Sequence, residues 1–259
     1  GRLVAGGNVT CGGNSVLGNA TSVVQVADAG THATNHVALL FDGAYTFSRG
    51  LCVNPYGASA TVGNISTSSA VFAGGILLSN TVQFVSSSAG TNVTRISGQV
   101  SGPGGLTKTG TGTVVVAAAN TYTGLTTVAA GTLRLAAAER LADASGLRLT
   151  GGTFDAAGFS ETLGALDVDG DAVIDFGDGA SQLRFAASDA QTWDGTVTLR
   201  NWSVAAYGGG TDRLYVGTSA GALTEAQLSK IVLSGGRKVM QLATGEIVPV
   251  PGGTVLGIR

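Results

Sequence analysis

The densest group of acidic residues in the sequence consists of Asp167, Asp169, Asp171, Asp175 and Asp178. Several carboxylates close together are the ligands that Ca²⁺ prefers, so the first three are candidates for a calcium site. The EF-hand pattern is not kept, because Ala172 stands at its glycine position and Asp178 at the position of its bidentate glutamate. We therefore favour a β-turn at Asp169-Gly170 between two strands over a metal site.

Other acidic residues are available for acid–base chemistry. A glycosidase needs two carboxyl groups that flank the scissile bond, and the residues that would supply them are Asp155, Glu161, Asp167 and Asp175. No spacing singles out a pair, and lysine and arginine are dispersed along the chain instead of forming the basic cluster of a lyase. We predict that the protein is not an enzyme and has no catalytic residue and no cofactor, with polysaccharide degradation as the least favoured alternative.

The two histidines and the two cysteines are the remaining candidates. His32 and His36 stand four residues apart, as a metal-binding pair on a helix would. Their neighbours favour a loop or a strand and no third ligand is evident, so we predict no metal site. Cys11 and Cys52 are favoured to form one disulfide, which suits an oxidising compartment. Two unrelated buried thiols are the alternative.

The composition indicates which elements must position these residues. The chain has 259 residues, of which 44% are hydrophobic and only 12% are charged, and 42 are glycines. So many glycines argue against long helices, whereas the valine, leucine and threonine between them favour short strands and tight turns. The net charge of −2 without a basic run argues against nucleic-acid binding. No stretch of 18 apolar residues is available for a membrane helix.

Alternating apolar residues mark the strands. Segments of this kind run over 22–26, 113–116, 132–135, 147–150, 182–185 and 196–199. In one of them, Leu133 and Leu135 face one way and Thr132 and Arg134 the other. Glycine steps precede several strands at spacings of about 8 to 20 residues, which predicts the coils of one solenoid rather than a β-sandwich. We expect Asn120 and Asn201 at corners, where each stacks on its neighbours or bonds the backbone.

Two short helices are predicted beside the strands. In Leu223–Ile231, Thr224 as the N-cap and Gln227 three residues later form a capping box. This helix would cap or flank the sheet. The second helix is predicted over Ala136–Leu141.

The run Gly104–Val114, followed by Asn120–Gly124 and Thr126–Leu135, reads GGLTKTGTGTV, NTYTG and TTVAAGTLRL. It closely resembles the autotransporter-associated β-strand repeat, a unit of bacterial passenger domains. The resemblance implies an all-β fold, a right-handed parallel β-helix. It also implies that the protein is secreted and lies outside the cell or on the cell surface of a bacterium.

The order of motifs after residue 154 resembles the C-terminal end of sorted repeat proteins of Verrucomicrobia-like bacteria. These motifs include Trp193, Asn201-Trp202-Ser203, Gly210–Leu214, Leu223–Ile231 and Thr244–Pro249. In such proteins a Val-Pro-Glu-Pro sorting tail often follows, but here the chain reads Val248-Pro249-Val250-Pro251. The missing glutamate leaves the anchoring route open.

We predict three segments: 1–59 as an N-terminal cap or subunit joint, 60–215 as the solenoid with the repeat, and 216–259 as a C-terminal cap with the short helix and a terminal strand. The favoured function is a structural protein that assembles with itself into a fibre or surface layer, with an extended strand within Gly1–Val26 adding to a neighbouring sheet.

The alternative function is an adhesin that binds a glycan. It requires exposed aromatic residues beside polar groups on one face of the solenoid. The aromatic residues of the N-terminal half are Tyr45, Phe47, Tyr56, Phe72 and Phe84. Packing in a core or an interface is the more common fate of such side chains.

Overall fold

The computed structural model describes residues 2–6, 22–27, 29–88, 90–233 and 236–251. Within these residues the chain forms 25 β-strands and one short helix, α1 (Glu225–Leu228). The strands lie in three sheets, here called A, B and C. Sheet A contains, in spatial order, β1 (Arg2–Ala5), β3 (His36–Phe41), β6 (Ser59–Asn64), β9 (Val82–Ser86), β12 (Leu106–Thr109), β14 (Thr126–Val128), β16 (Leu147–Leu149), β18 (Glu161–Val168), β20 (Gln182–Ala186), β22 (Arg213–Val216), β25 (Glu246–Pro249) and β24 (Val239–Gln241). Sheet B contains β4 (Thr46–Phe47), β7 (Ala70–Phe72), β10 (Thr94–Ile96), β13 (Thr113–Val116), β15 (Thr132–Leu135), β17 (Thr153–Asp155), β19 (Ala172–Asp175), β21 (Val197–Arg200) and β23 (Ile231–Val232). Sheet C contains β2 (Val24–Val26), β5 (Leu51–Val53), β8 (Ile76–Leu78) and β11 (Val100–Ser101).

Each coil passes from sheet A to sheet B, then along the side of sheet C, and back to sheet A. For example, β6 leads to β7, β8 and β9 in turn. Neighbouring coils pair in parallel. From β3 to β20 one coil takes between 19 residues, from Leu147 to its partner Leu166, and 24 residues, from Val82 to its partner Leu106. About eight turns form the solenoid, so the predicted all-β parallel β-helix with a short C-terminal helix is confirmed.

The strands follow the apolar alternation in the sequence. Those predicted over 113–116 and 132–135 are β13 and β15. In β15, Leu133 and Leu135 are buried whereas Arg134 is exposed, because successive side chains of a strand point to opposite faces of the sheet.

The core consists of stacks in which the same inward position recurs from coil to coil. In sheet A the register stacks six fully buried residues: Val62, Phe84, Lys108, Val128, Leu149 and Val168. In the N-terminal coils the rings of Phe41, Phe47 and Phe72 pack with centroids 5.2 to 5.9 Å apart. Phe84 continues this cluster at 5.5 Å from Phe72. Phe47, Phe72 and Phe84 therefore pack in the core.

The capping box of α1 is confirmed. Thr224 Oγ1 accepts a hydrogen bond from the Gln227 N–H, and Gln227 Oε1 accepts one from the Thr224 N–H. The helix ends at Leu228, earlier than predicted, because Ile231 already pairs with Val197 as part of β23.

The second predicted helix, over Ala136–Leu141, is wrong: this segment is a corner without helical structure. Its backbone N–H groups bond to neighbouring coils instead of to their own turn. Their acceptors are the Val116 and Ser160 carbonyl oxygens and the Glu161 carboxylate. Glu139 moreover has a φ of 52°, which an α-helix does not allow.

Sheet C ends after four strands. In the coil that follows its last strand, the side chain of Asn120 bonds to the backbones of the two neighbouring coils. Asn120 Oδ1 accepts from the Val100 N–H of the preceding coil at 2.6 Å. Its Nδ2 donates to the carbonyl oxygens of Ala118, at 3.1 Å, and of Arg140 in the following coil, at 2.6 Å. Of the two predicted corner residues, Asn120 bonds the backbone, whereas Asn201 Nδ2 donates to a side chain, Asp175 Oδ1, at 2.8 Å.

Parallel stacking in sheet A stops at the C-terminal end. There β25 pairs antiparallel with β22, and β24 pairs antiparallel with β25. Towards the N-terminus, sheet A runs unbroken through β3, β6 and β9, on both sides of residue 60. The division into three functional segments stays a prediction.

Gly74 and Gly75 form a matched pair for testing the coil spacing. A Cβ on Gly74 would lie 1.9 Å from the Arg49 carbonyl oxygen, whereas a Cβ on Gly75 would have the Gln99 carbonyl oxygen as its nearest atom, at 3.7 Å. We expect Gly74→Ala to lower the free energy of unfolding by about 1–3 kcal/mol, because the backbone of one coil must shift. Gly75→Ala should change it by no more than about 0.5 kcal/mol. Urea unfolding followed by circular dichroism measures both, and equal effects would contradict the prediction.

Candidate functional site

The candidate calcium residues lie at the end of β18 and in the corner that follows, and they have different partners. Asp167 Oδ2 accepts from Arg148 Nη2 at 2.9 Å, and Asp169 Oδ2 lies 3.3 Å from Arg148 Nε. Asp171 accepts from the N–H and the hydroxyl of Thr196, and these hydrogen bonds lower the pKa of its carboxyl group. Within the described residues, no three acidic, histidine or cysteine side chains converge as metal ligands would. The predicted turn is the corner between β18 and β19.

Two of the candidate catalytic carboxylates are neighbours on sheet B. Asp155 of β17 pairs in register with Asp175 of β19. Each accepts a hydrogen bond from the N–H two residues further on, that of Ala157 at 2.8 Å and that of Gly177 at 2.9 Å. Asp155 also accepts from Arg134 Nε at 2.6 Å. Both carboxylates thus fix the corners that follow their strands.

The histidines lie outside any helix. His36 is the first residue of β3, and its Nδ1 is 2.6 Å from the Ser59 hydroxyl. His32 lies in the segment before this strand, with its Nδ1 2.9 Å from the Thr34 hydroxyl. The predicted loop or strand around these residues is confirmed.

Cys52 lies at the centre of β5, on the outer face of sheet C between Gln25 and Leu77 of the neighbouring strands. Its thiol is free in the structure and donates to Asn54 Oδ1 at 3.4 Å. Cys11 lies outside the described residues. The structure therefore does not support the predicted disulfide between Cys11 and Cys52.

A buried lysine is the main group that the sequence analysis missed. Lys108 takes an inward position of β12, between Phe84 and Val128 of the adjacent coils. Its Nζ donates to three carbonyl oxygens at 2.7 to 2.9 Å, those of Thr109, Gly110 and Ala130. Burial lowers the pKa of Lys108 to about 8. A signal was available, since period-two alternation places Lys108 on the same face as Leu106.

Glu161, the first residue of β18, is a buried carboxylate that holds the preceding coil. Its two oxygens accept from the N–H groups of Arg140 at 2.8 Å and Leu141 at 2.9 Å. Burial raises the pKa of Glu161 to about 8, although both hydrogen bonds act in the opposite direction. With 1% of its surface exposed, Glu161 offers no access to a substrate in this conformation.

A buried hydroxyl network links two further coils. The Tyr122 hydroxyl is 2.6 Å from Thr126 Oγ1, which is 2.9 Å from Ser145 Oγ. Burial raises the pKa of Tyr122 to about 12. Together with Lys108 and Glu161, these side chains bond the interior of the solenoid instead of presenting chemistry to solvent.

Part of the chain is similar to a known repeat. Residues 106–135 match the family model of the passenger-associated-transport-repeat. The match begins at β12 and ends with β15, so it covers little more than one coil, and it includes Lys108. No curated protein and no solved structure matches the chain. The repeat and the solenoid together fit an autotransporter passenger domain.

The buried amine predicts a rise in stability at alkaline pH. The pKa of Lys108 is about 8 in the folded chain, against 10.5 for an unburied lysine, so the unfolded chain binds more protons between these values. The free energy of unfolding contributed by this group therefore rises as the pH increases through that interval. Lys108→Met should remove this contribution, and the exposed Lys238→Met should keep it. Urea unfolding between about pH 7 and about pH 10 measures the difference; the same slope in both variants would contradict the prediction.

The buried carboxylate predicts the opposite trend at lower pH. The pKa of Glu161 is about 8 in the folded chain, against 4.5 normally, so the folded chain binds more protons in this interval. Its contribution to stability is present below the lower value and is lost as the pH rises to the upper one. Glu161→Gln should flatten this fall, while the exposed Glu225→Gln should not. Thermal unfolding across the interval tests this, and an unchanged fall in Glu161→Gln would assign it to other groups.

Proposed function

We propose that the chain is a non-enzymatic structural rod, part of an extracellular protein of the bacterial cell surface. The observation that carries the proposal is sheet A, in which ten strands from β1 to β22 stack in parallel. At about 4.8 Å between strands, this stack is roughly 45 Å long. The candidate acids Asp155, Glu161, Asp167 and Asp175 bond arginines or backbone N–H groups of the same rod. This arrangement favours a structural role over catalysis.

The repeat supports a secreted or cell-surface location. Among the residues that the structure describes, no helix has the length and apolar character that a membrane span requires. A relation to the sorted repeat proteins of Verrucomicrobia-like bacteria is a further part of the proposal, and it leaves the anchoring route open because the glutamate of the sorting tail is missing. It rests on the order of motifs in the C-terminal region.

Self-assembly into a fibre or surface layer is the finer part of the proposal. β1, β23 and β24 are outermost strands of their sheets within the described chain. They carry exposed apolar side chains: Leu3, Val4, Val232 and Met240. Outermost strands with apolar residues are templates for pairing with another chain. β1 pairs on one side with β3 of its own chain, so strand addition by the N-terminal segment would use its other edge.

Head-to-tail contact between copies is heterologous and leads to filaments. We expect the purified chain to form elongated particles whose mass grows with concentration, measured by light scattering and negative-stain microscopy. Val4→Lys and Val232→Lys place a charge on an edge strand and should shift the population to monomers. Thr107→Lys, on the flank of sheet A, is the control and should assemble as the wild type does. Monomers alone at high concentration of the wild type would refute the self-assembly.

A further inference from the structure

A cleft of about 700 Å³ lies where sheet B ends, towards the C-terminus. There β23 contributes only Ile231 and Val232, which pair with Val197 and Thr198 of β21. β21 continues to Arg200, and within the described residues no strand pairs with this last part of β21 on the side away from β19. The volume of this cleft, here called the end cleft, lies in the range of small-molecule sites.

The lining of the end cleft is largely apolar and includes one aromatic side chain. Trp202, which follows β21, is half-buried and stacks on the buried Phe176 with ring centroids 6.1 Å apart. The other apolar residues of the lining are Leu199, Val204, Val232, Leu233 and Pro249. Such a surface suits the C–H face of a ring better than a small hydrated ion.

Two arginines line the end cleft, and its described lining contains no aspartate or glutamate. Arg200 and Arg237 are both exposed, and neither guanidinium lies within 4.0 Å of a carboxylate of the described chain. Arg237 Nη2 donates to the Val250 carbonyl oxygen at 3.5 Å. Asp175 is the neighbour of Arg200 in the register, and its Oδ1 accepts from the Asn201 amide instead. Both positive charges are therefore available to an anion.

This end of the rod has little negative charge that could compete for the two arginines. From β21 to Val250 the chain has three acidic residues, Asp212, Glu225 and Glu246. Asp212 and Glu246 are buried and accept hydrogen bonds from backbone N–H groups. Glu225 lines a different cavity, between α1 and β24. Electrostatic complementarity thus favours an anionic ligand in the end cleft.

We infer that the end cleft binds a hexuronate unit of an acidic polysaccharide. Arg200 and Arg237 would form charge-assisted hydrogen bonds with the carboxylate, and the apolar lining around Trp202 would contact the C–H face of the ring. Thr198 and Asn201 also line the cleft and can bond the ring hydroxyl groups. A neutral sugar would leave the two arginines without a carboxylate, and a bare phosphate would leave the apolar lining in water. One copy of the chain contains the whole site, so the binding does not depend on self-assembly.

The test is calorimetric titration with trimers of galacturonate, glucuronate and mannuronate, at protein concentrations at which light scattering finds monomers. The methyl-esterified trimers have the same rings without the charge, whereas acetate and phosphate have the charge without a ring. We expect at least one acidic trimer to bind about tenfold or more tightly than each of these comparison ligands. Its binding should also change the tryptophan fluorescence, because Trp202 lines the cleft whereas Trp193, the other tryptophan, is buried.

Arg200→Gln and Arg237→Gln should each weaken the binding by about fivefold or more, and so should a higher salt concentration. Arg95→Gln is the matched control, since it removes the same charge from an exposed position of β10, five strands away in the same row of sheet B as Arg200. It should bind within about twofold of the wild type. Circular dichroism establishes that each variant is folded.

Three results would overturn the inference: binding of none of the acidic trimers, equal affinity for a methyl-esterified trimer, acetate or phosphate, or an equal loss of affinity in Arg95→Gln. None of them would bear on the structural rod or on its self-assembly, which light scattering and microscopy measure without a ligand. Conversely, a chain that stays monomeric at high concentration would refute the self-assembly and leave the hexuronate site intact.

Discussion

The stacking of neighbouring coils at the spacing of β-strands is the constraint on which the rest of the structure depends. At that spacing each inward side chain meets its equivalents in the coils above and below, so Phe84, Lys108 and Val128 must share one stack. Backbones also approach closely at the corners, where a Cβ on Gly98 would lie 1.9 Å from the Gly74 carbonyl oxygen. No coil buries its apolar face alone, and stability is therefore a property of neighbouring pairs of coils.

Corners are where this arrangement leaves backbone groups without partners in a sheet, and buried polar side chains supply those partners. Lys108 bonds three carbonyl oxygens, Glu161 bonds two N–H groups, and Asn120 bonds groups of the coils before and after it. A buried backbone group without a hydrogen bond costs free energy comparable to that of the bond it lacks. This explains why ionisable side chains occur in an otherwise apolar interior. Burial favours the neutral form of each, so it lowers the pKa of Lys108 and raises the pKa of Glu161.

Short-range patterns in the sequence predicted the elements whose causes are themselves local. The strands β13 and β15 follow from alternation, and the cap of α1 follows from two side chains three residues apart. The segment 136–141 was predicted wrongly because its N–H groups bond Ser160 and Glu161, about one coil away. The acidic stretch was correctly interpreted as a corner. The ion pairs of Asp167 and Asp169 with Arg148 could not be predicted, because they depend on the register between β16 and β18. The alignment of outward side chains from coil to coil was not predictable in this way, since coils of 19 to 24 residues have no fixed period in the sequence.

The residue types on the sides of the rod vary because outward side chains do not have to pack against their equivalents in the coils above and below, as inward side chains do. On sheets A and B, outward residues in register pair across coils, as Arg148 does with Asp167 and Arg134 with Asp155. Polar residues at these positions are accounted for by solvation and by such pairs. Folding gives no comparable account of Leu77, which is 45% exposed, or of Tyr207, which is 82% exposed. Their side chains add little to the core, and single exposed apolar side chains are common on protein surfaces, so the ion pairs in register, and not these residues, distinguish one side of the rod from another.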